Sequence, residues 1–498
     1  MRRLAPSGMP GAADAPGASA DMVHPGAARG VPASSLVCSG CGTVVPVDRP
    51  FVPRCPAARS GDDIDHVLVR RIDLSVVGHP DPGEIEPFVR YRRLFHAYHV
   101  ARAAGWSDAR YVGLVRSLDE AVATVEGHGF VETPLAEASG LAAGIGGQRP
   151  FGLIVKDETG GVGGSHKARH LAAILLELTV AEALGATEPG RPLAIASCGN
   201  AALAAAVLAR AVRRELRVFV PDAADPSIVE RLRGLDTRVV VCPRHPGVPG
   251  DPSVRALDEA LAAGAIPFTC QGDRNGFAIE GGATLAWELA GWSASVGRPL
   301  DRVVVQVGGG AFASSISLGL AEAASLGWIA RPPRLDTVQT EGGWPLARAY
   351  ELLAAGLGAT PGQPVPLQDL DPAIDRAARH RSGYMWPWET EPRSVAHGIL
   401  DDETYDWLAV VRAMLATGGR PVVVPEATLL EANRLGVAET GIAADETGTA
   451  GLAGLIRLAR GGLVDPGETV AVIFSGIRRT SGPVAPGRPV DDRATASG

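Results

Sequence analysis

The chain keeps two lysines, Lys156 and Lys167, among 47 Lys and Arg side chains. Both fall in one stretch, Val-Lys-Asp-Glu-Thr-Gly-Gly-Val-Gly-Gly-Ser-His-Lys-Ala-Arg, residues 155–169. Arginine can replace lysine as a surface charge, a carboxylate partner or a phosphate ligand. It cannot form an imine with an aldehyde or lose its proton near neutral pH. Lys167 follows a glycine-rich loop and opens an apolar helical stretch, so it reads as a covalent or proton-transfer group. Lys156, at a strand end before Asp157 and Glu158, reads as half of a local surface ion pair.

Three further elements could do chemistry. Gly308-Gly309-Gly310 lies between a β-branched run, Val-Val-Val-Gln-Val at 303–307, and a helical stretch from Ala311. Glycines at a helix N-terminus expose backbone N–H groups to an anion, which makes a phosphate cup. The G-x-G-x-x-G spacing of a dinucleotide site is absent, so a single phosphate is expected; a tight packing turn is the competing reading. The segment Ser197-Cys198-Gly199-Asn200-Ala201 occupies a similar strand-to-helix junction and could bind a carboxylate or a phenolate oxygen. It could equally be a helix N-cap. Ser475-Gly476 ends the last strand, and strand ends at the carboxyl edge of a parallel sheet are where ligands bind; a simple turn is the competing reading. The loop before Lys167 is not a nucleotide phosphate loop: His166 precedes the lysine and Ala168 follows it, where Gly and Ser or Thr are needed.

These groups need a scaffold, and the pattern supplies one. Strand-like runs at 153–156, 193–196, 218–220, 239–241, 303–307 and 470–475 alternate with alanine-rich helical stretches at 166–184, 201–213, 226–235, 254–263, 279–290 and 311–326. That alternation predicts α/β architecture with parallel sheets. Upstream, 84–104 and 108–124 read as helices, with Tyr91, Leu94, Phe95 and Tyr98 on one face. The segment 360–372 and the aromatic stretch 384–388 read as surface insertions or a lid.

At 498 residues the chain exceeds one ordinary core. A net charge of −8 gives no reason to expect nucleic acid or an acidic membrane as partner, and no apolar run is long enough to span a bilayer. Six cysteines in a chain of this length are not a disulfide scaffold, and a reducing cytoplasm is the simplest setting. The Ala/Gly/Pro-rich start and the Pro/Gly/Asp-rich end read as disordered tails.

Taken in order, the lysine at a helix start, the Asn loop, the Gly₃ cup and the terminal Ser-Gly resemble fold-type II pyridoxal-phosphate enzymes, and most nearly threonine synthase-like members of the tryptophan synthase β superfamily. Arg90-Tyr91-Arg92 and Thr133-Pro134-Leu135 add to the resemblance, which covers roughly 35–480. It implies two parallel or mixed sheet domains flanked by helices. The expected division is a tail at 1–34, a small zinc-ribbon-like segment at 35–75, a discontinuous cofactor-binding domain at 76–190 and 273–480, a small α/β domain at 191–272, and a tail at 481–498. It further implies that Lys167 carries the cofactor and moves the α-proton, that Asn200 bonds its phenolic oxygen, and that Gly308, Gly309, Gly310 and Ala311 hold its phosphate. Ser197, Cys198, Gly199 and Ala201 would hold the substrate carboxylate. Ser475 would face the pyridine nitrogen. A neutral hydroxyl there leaves the ring a weaker electron sink than an aspartate would, which favours elimination and replacement over transamination.

The implied activity is a lyase or synthase that removes the α-proton of a small L-amino acid and expels or replaces a β or γ substituent. A serine/threonine-type ammonia-lyase is the alternative. A homodimer is usual for the fold. Two departures bear on the substrate. The residue before the lysine is His166, and Ala278 stands where threonine synthases carry an arginine for the substrate phosphate, leaving Arg169 or Arg274 to compensate. Outside this class, Ser165 with Lys167 as base would make a hydrolase, although no G-x-S-x-G elbow is present; a non-catalytic cofactor-binding regulator is the other rival. At the front, Cys38, Cys41 and Cys55 have zinc-ribbon spacing, and His66 is the nearest residue able to stand in for the missing fourth cysteine. Cys198, Cys242 and Cys270 read as small core residues.

Overall fold

The computed structural model describes residues 33–244, apart from 79, 82 and 148, and residues 251–479. The expected tail at 481–498 lies outside the described residues, as does all but the end of the one at 1–34; Ser34 is already the buried first residue of a strand.

The expected α/β architecture is present. A six-stranded sheet runs in the order Pro421–Val424, Arg334–Thr340, Arg302–Gln306, Thr469–Phe474, Gly152–Asp157, Leu135–Glu137. Its strands are parallel except the last, which pairs antiparallel at the edge. The strands Arg302–Gln306 and Thr469–Phe474 are buried along their whole length, as strands in the middle of a helix-covered sheet must be. A second, four-stranded parallel sheet takes the order Arg238–Cys242, Leu216–Pro221, Leu193–Ala196, Ile266–Pro267. A three-stranded antiparallel sheet, Val44–Pro46, Ser34–Cys38 and Leu68–Ile72, forms the ribbon at the front.

Helix Phe277–Val296 packs against both Lys167–Ala183 and Ala311–Ser325. The approach is close enough to require glycine: a Cβ on Gly281 would stand 2.0 Å from the Arg169 carbonyl oxygen. This contact fixes where helix Lys167–Ala183 begins relative to the sheet, and with it the position of Lys167.

Four expectations change. The stretch 84–104 is not one helix but Pro87–Arg90, a 3₁₀ turn Arg92–Leu94 and His96–Ala103. Phe95 is extended between them, and the buried Glu280 carboxylate accepts the His96 N–H at 2.9 Å, tying off the new helix start. The apolar face of Tyr91, Leu94, Phe95 and Tyr98 is buried nonetheless. The segment 360–372 is surface loop only in part, because helix Leu367–Ala378 begins inside it and buries Leu370. The stretch 384–388 is anchored, with Met385 buried, Tyr384 stacked on Trp407 and Arg348 lying 3.7 Å over the Trp386 ring.

Lys156 departs most. It is fully buried, not on the surface, and its Nζ lies 2.5 Å from Glu288 and 2.6 Å from the Thr133 carbonyl oxygen that accepts its proton. Arg169 bridges the same Glu288 (2.6 Å) to Glu158 (3.0 Å). A lysine survives here because a compact ammonium fits between Glu288 and a carbonyl beside an arginine already in place; a second planar guanidinium needs more room and more acceptors.

Candidate functional site

The carboxyl ends of strands Arg302–Gln306 and Thr469–Phe474 of the larger sheet and Leu193–Ala196 and Leu216–Pro221 of the smaller face one cleft. Its lining includes Lys167, Ser197–Ala201, Gly308–Ala311 and Ser475, residues separated by up to about 300 positions in sequence. Every residue assigned to cofactor or substrate from the sequence is therefore in one place. Arg169, Arg274 and Ala278 are not.

Lys167 is placed by its glycines. Gly163 and Gly164 adopt φ of +67° and +68°, and Ser165 is extended, which turns the chain sharply into helix Lys167–Ala183. L-residues with a Cβ resist that conformation. Among the described residues, the Lys167 ammonium has no hydrogen-bond or ion-pair partner, in contrast to Lys156. Ser165 is 1 % exposed and does not line the cleft, so it is not presented as a hydrolase nucleophile.

Two helices point uncapped N-termini into the cleft. Helix Asn200–Ala211 starts at Gly199 and helix Ala311–Ser325 at Gly310, and neither has a side-chain cap. The N-cap reading of the Ser197–Asn200 loop thus fails, and its first-turn N–H groups remain available. Gly310 has φ +96°, and a Cβ there would meet Thr404 at 2.8 Å. The cup already holds an anionic group. Gly309 donates its N–H to the Asp401 carboxylate, which stands 2.4 Å from where a Gly308 Cβ would be. Burial raises the Asp401 pKa to about 6, against the pull of Lys167. That carboxylate stands in for the oxygens of a bound anion.

Ser475 ends its strand and is buried. Its Oγ accepts the His166 backbone N–H at 3.0 Å and lies 2.5 Å from His166 Nδ1. Burial, with the charge of Lys167 alongside, holds the His166 imidazole well below its ordinary pKa, so the ring is neutral. A Ser475 hydroxyl donating to Nδ1 satisfies both groups and leaves the ring proton on Nε2. That buried Nε2 has no partner among the described residues. The imidazole is stacked on Phe312, with ring centroids 3.9 Å apart. His166, Phe312 and Asp401 were not assigned roles from the sequence. His166 and Phe312 adjoin assigned residues, Lys167 and Ala311, and could have been found that way; Asp401 has no local signal.

Asn200 is held from behind. Its Oδ1 accepts from the Arg479 guanidinium, which also bonds the Gly163 carbonyl at 2.7 Å. With Oδ1 engaged, the amide NH₂ is the end left to donate. Cys198 is exposed at the cleft and not a core residue, because its loop turns between a strand end and a helix; Cys242 and Cys270 are buried as expected. Arg169 is committed to Glu158 and Glu288, Arg274 pairs with Asp258, and Ala278 is wholly buried. None of the three compensates for the missing arginine.

An open lysine, a glycine cup that accepts an anion and two uncapped helix ends fit a phosphorylated aldehyde cofactor. Comparison with known proteins agrees. The family described as "Pyridoxal-phosphate dependent enzyme" matches residues 128–476. The chain belongs to this family, with a fold-type II architecture, and pyridoxal phosphate is its cofactor. It is 24% identical over 205 residues to a threonine synthase of Methanocaldococcus jannaschii, covering 41% of this chain and 42% of that protein. It is 27% identical over 241 residues to a serine dehydratase-like protein of Mus musculus, covering 48% and 62%. The matches thus span less than two thirds of either relative. A pyridoxal 5'-phosphate-dependent aspartate racemase shares the fold at TM-score 0.53 and 19% identity, over 74% of this chain and 96% of the other.

Proposed function

We propose that the protein is a lyase or synthase that takes the α-proton from a small L-amino acid and expels or replaces a β or γ substituent. The observation that carries this reading is the Lys167 ammonium, without a partner among the described residues, in a cleft shared with the glycine cup and Ser475. When bound, pyridoxal phosphate supplies an electron sink that acidifies the α-C–H bond of the amino acid attached to it. Gly308–Gly310 and the N–H groups opening helix Ala311–Ser325 would hold the phosphate, and the Asn200 amide would donate to the phenolic oxygen. Lys167 would hold the cofactor covalently and then act as the base at the α-carbon. The loop Ser197–Ala201 would take the substrate carboxylate on its open N–H groups. Ser475 offers a neutral oxygen at the strand end, which supports elimination and replacement over transamination.

The substrate is proposed to be unphosphorylated. Arg169 and Arg274 are paired elsewhere and Ala278 is buried, so the cleft gains no arginine from these positions for a second phosphate. This favours a serine/threonine-type ammonia-lyase as the second reading. We place the enzyme in a reducing cytoplasm, supported by free thiols at all six cysteines, and among the described residues no helix is long and apolar enough to cross a membrane. A homodimer is proposed by analogy of fold and is tested by light scattering.

The experiment is an amino-acid screen on the cofactor-loaded protein, with ammonia, keto acid and α-proton exchange measured separately. Keto acid and ammonia from serine or threonine would establish elimination. Exchange with inversion and no net product would mean racemisation, and no spectral response to any amino acid would reject the catalytic reading.

A further inference from the structure

We propose that Cys38, Cys41, Cys55 and His66 hold one structural zinc ion, and that this ion pins the segment that braces the cofactor cup. Three cysteine sulfurs and the His66 Nδ1 converge from two sides of the front ribbon, all within 4.8 Å of one another. Cys41 and Cys55 sulfurs are 3.6 Å apart, and His66 Nδ1 is 3.4 Å from the Cys38 sulfur. A tetrahedral zinc with Zn–S near 2.3 Å and Zn–N near 2.0 Å has ligand–ligand edges of about 3.5–3.8 Å. This pair of edges matches that polyhedron. It does not match a disulfide, whose sulfurs bond at about 2.05 Å. Three thiolates and an imidazole select zinc over the hard, oxygen-seeking cations.

The chain is shaped to bring these ligands together. The turn after strand Ser34–Cys38 returns Cys41 to Cys38 through a Gly42 N–H donated to the Cys38 carbonyl at 3.0 Å. Gly40 lets this turn lie against the His66 segment, since a Cβ there would stand 2.4 Å from the Asp65 carbonyl oxygen. His66 Nε2 lies 3.1 Å from the Asp62 carboxylate. A carboxylate on the outer nitrogen fixes the tautomer with the Nδ1 lone pair turned to the metal, the usual support of a metal-bound histidine.

The site also has a load to hold. Residues 47–67 carry no strand or helix. Within them, Asp65 accepts the Trp407 indole N–H at 3.2 Å. The preceding residue, Asp406, donates its backbone N–H to the Gly309 carbonyl at 3.0 Å. Fixing His66 therefore fixes Asp65, and through Trp407 the outer wall of the glycine cup. The metal proposal stands on the ribbon alone and does not depend on the reaction assigned to the cleft.

The test is elemental analysis of the full chain, purified under reducing conditions from zinc-supplemented cells. About one zinc per chain is expected, falling to near zero in Cys55→Ser and in His66→Ala, with Cys242→Ser unchanged. If those variants fail to fold, cobalt exchange into the wild-type chain decides. Tetrahedral d–d bands with thiolate charge transfer are expected. A wild-type chain without zinc, zinc retained in both variants, octahedral cobalt, or a Cys41–Cys55 disulfide found by mass spectrometry would each overturn the proposal. Where zinc is bound, its removal should also weaken cofactor retention, read by equilibrium dialysis; unchanged retention would overturn the bracing role while leaving the metal site.

Discussion

Ser475 Oγ receives the backbone N–H of His166 at 3.0 Å and lies 2.5 Å from the Nδ1 of the same residue. One hydroxyl thus holds both the main chain and the imidazole next to Lys167, and it is not idle at the strand end. To face a pyridine nitrogen, it must share itself with His166. The consequence is a coupling. Ser475→Ala and His166→Phe, the latter keeping the stack on Phe312, should each weaken cofactor binding and lower turnover. Buried hydrogen bonds of this kind are worth about 1 kcal/mol, and contacting pairs are not additive. A double-mutant cycle on the cofactor dissociation constant checks this, and strict additivity would contradict it.

Asp401 is expected to compete with the cofactor phosphate, because its carboxylate accepts the Gly309 N–H in the proposed cup. With its pKa raised by burial to about 6, it is a carboxylate at pH 7.5, seated on Gly309. Two anions in one poorly solvated cup repel, so Asp401→Asn should tighten cofactor binding at pH 7.5, by about tenfold for each 1.4 kcal/mol of repulsion removed. The stability sign is opposite to that of a salt-bridged acid. A raised folded-state pKa means a cost that grows as pH rises from about 4 through about 6 and is absent below. The stability difference between Asp401→Asn and the cofactor-free wild type should therefore widen over that window and then level off. Equal pH profiles by thermal denaturation would refute it.

Gly310 is needed for its φ of +96°. Gly310→Ala places a Cβ at 2.8 Å from Thr404 and forces an L-residue into left-handed space, a strain of about 1–2 kcal/mol before any repacking. The variant should fold and lose cofactor on dialysis, as measured by the bound cofactor's absorbance after desalting. Retention equal to wild type would place the phosphate elsewhere.

Lys156 and Glu288 make the opposite kind of site. Burial pushes the Glu288 carboxyl up, but Arg169 and Lys156 outweigh it and hold the group below the usual carboxylate range. This stabilisation is present at neutral pH and is lost as pH falls below that range. Glu288→Ala leaves two buried cations without their shared partner and should cost about 3–5 kcal/mol. Lys156→Met leaves Glu288 paired with Arg169 and should cost clearly less. Chemical denaturation of the three proteins tests the order.

These residues mark where the sequence could and could not be read. That Lys167 and the glycine cup share one cleft was legible because their signals are local: a retained lysine after a glycine loop, three glycines between a strand and a helix. His66 was nameable as a candidate because little else near Cys55 could serve, and the fold brings its Nδ1 to 3.4 Å from the Cys38 sulfur. Lys156 was misjudged because its true partner, Glu288, comes from a helix more than a hundred residues away. Asp401 left no mark at all, since an acid in a loop looks the same whether it faces water or a phosphate cup. The break in 84–104 was hidden by correct periodicity, with the interrupting contact supplied by the distant Glu280.

The central claim is that Lys167 carries the cofactor. With two lysines in the chain, borohydride reduction of the loaded protein followed by peptide mass mapping gives a direct answer. A reduced pyridoxyl adduct on the peptide containing Lys167, lost in Lys167→Ala, is the expected result. An adduct on Lys156, or a loaded protein with no lysine adduct, would contradict the account.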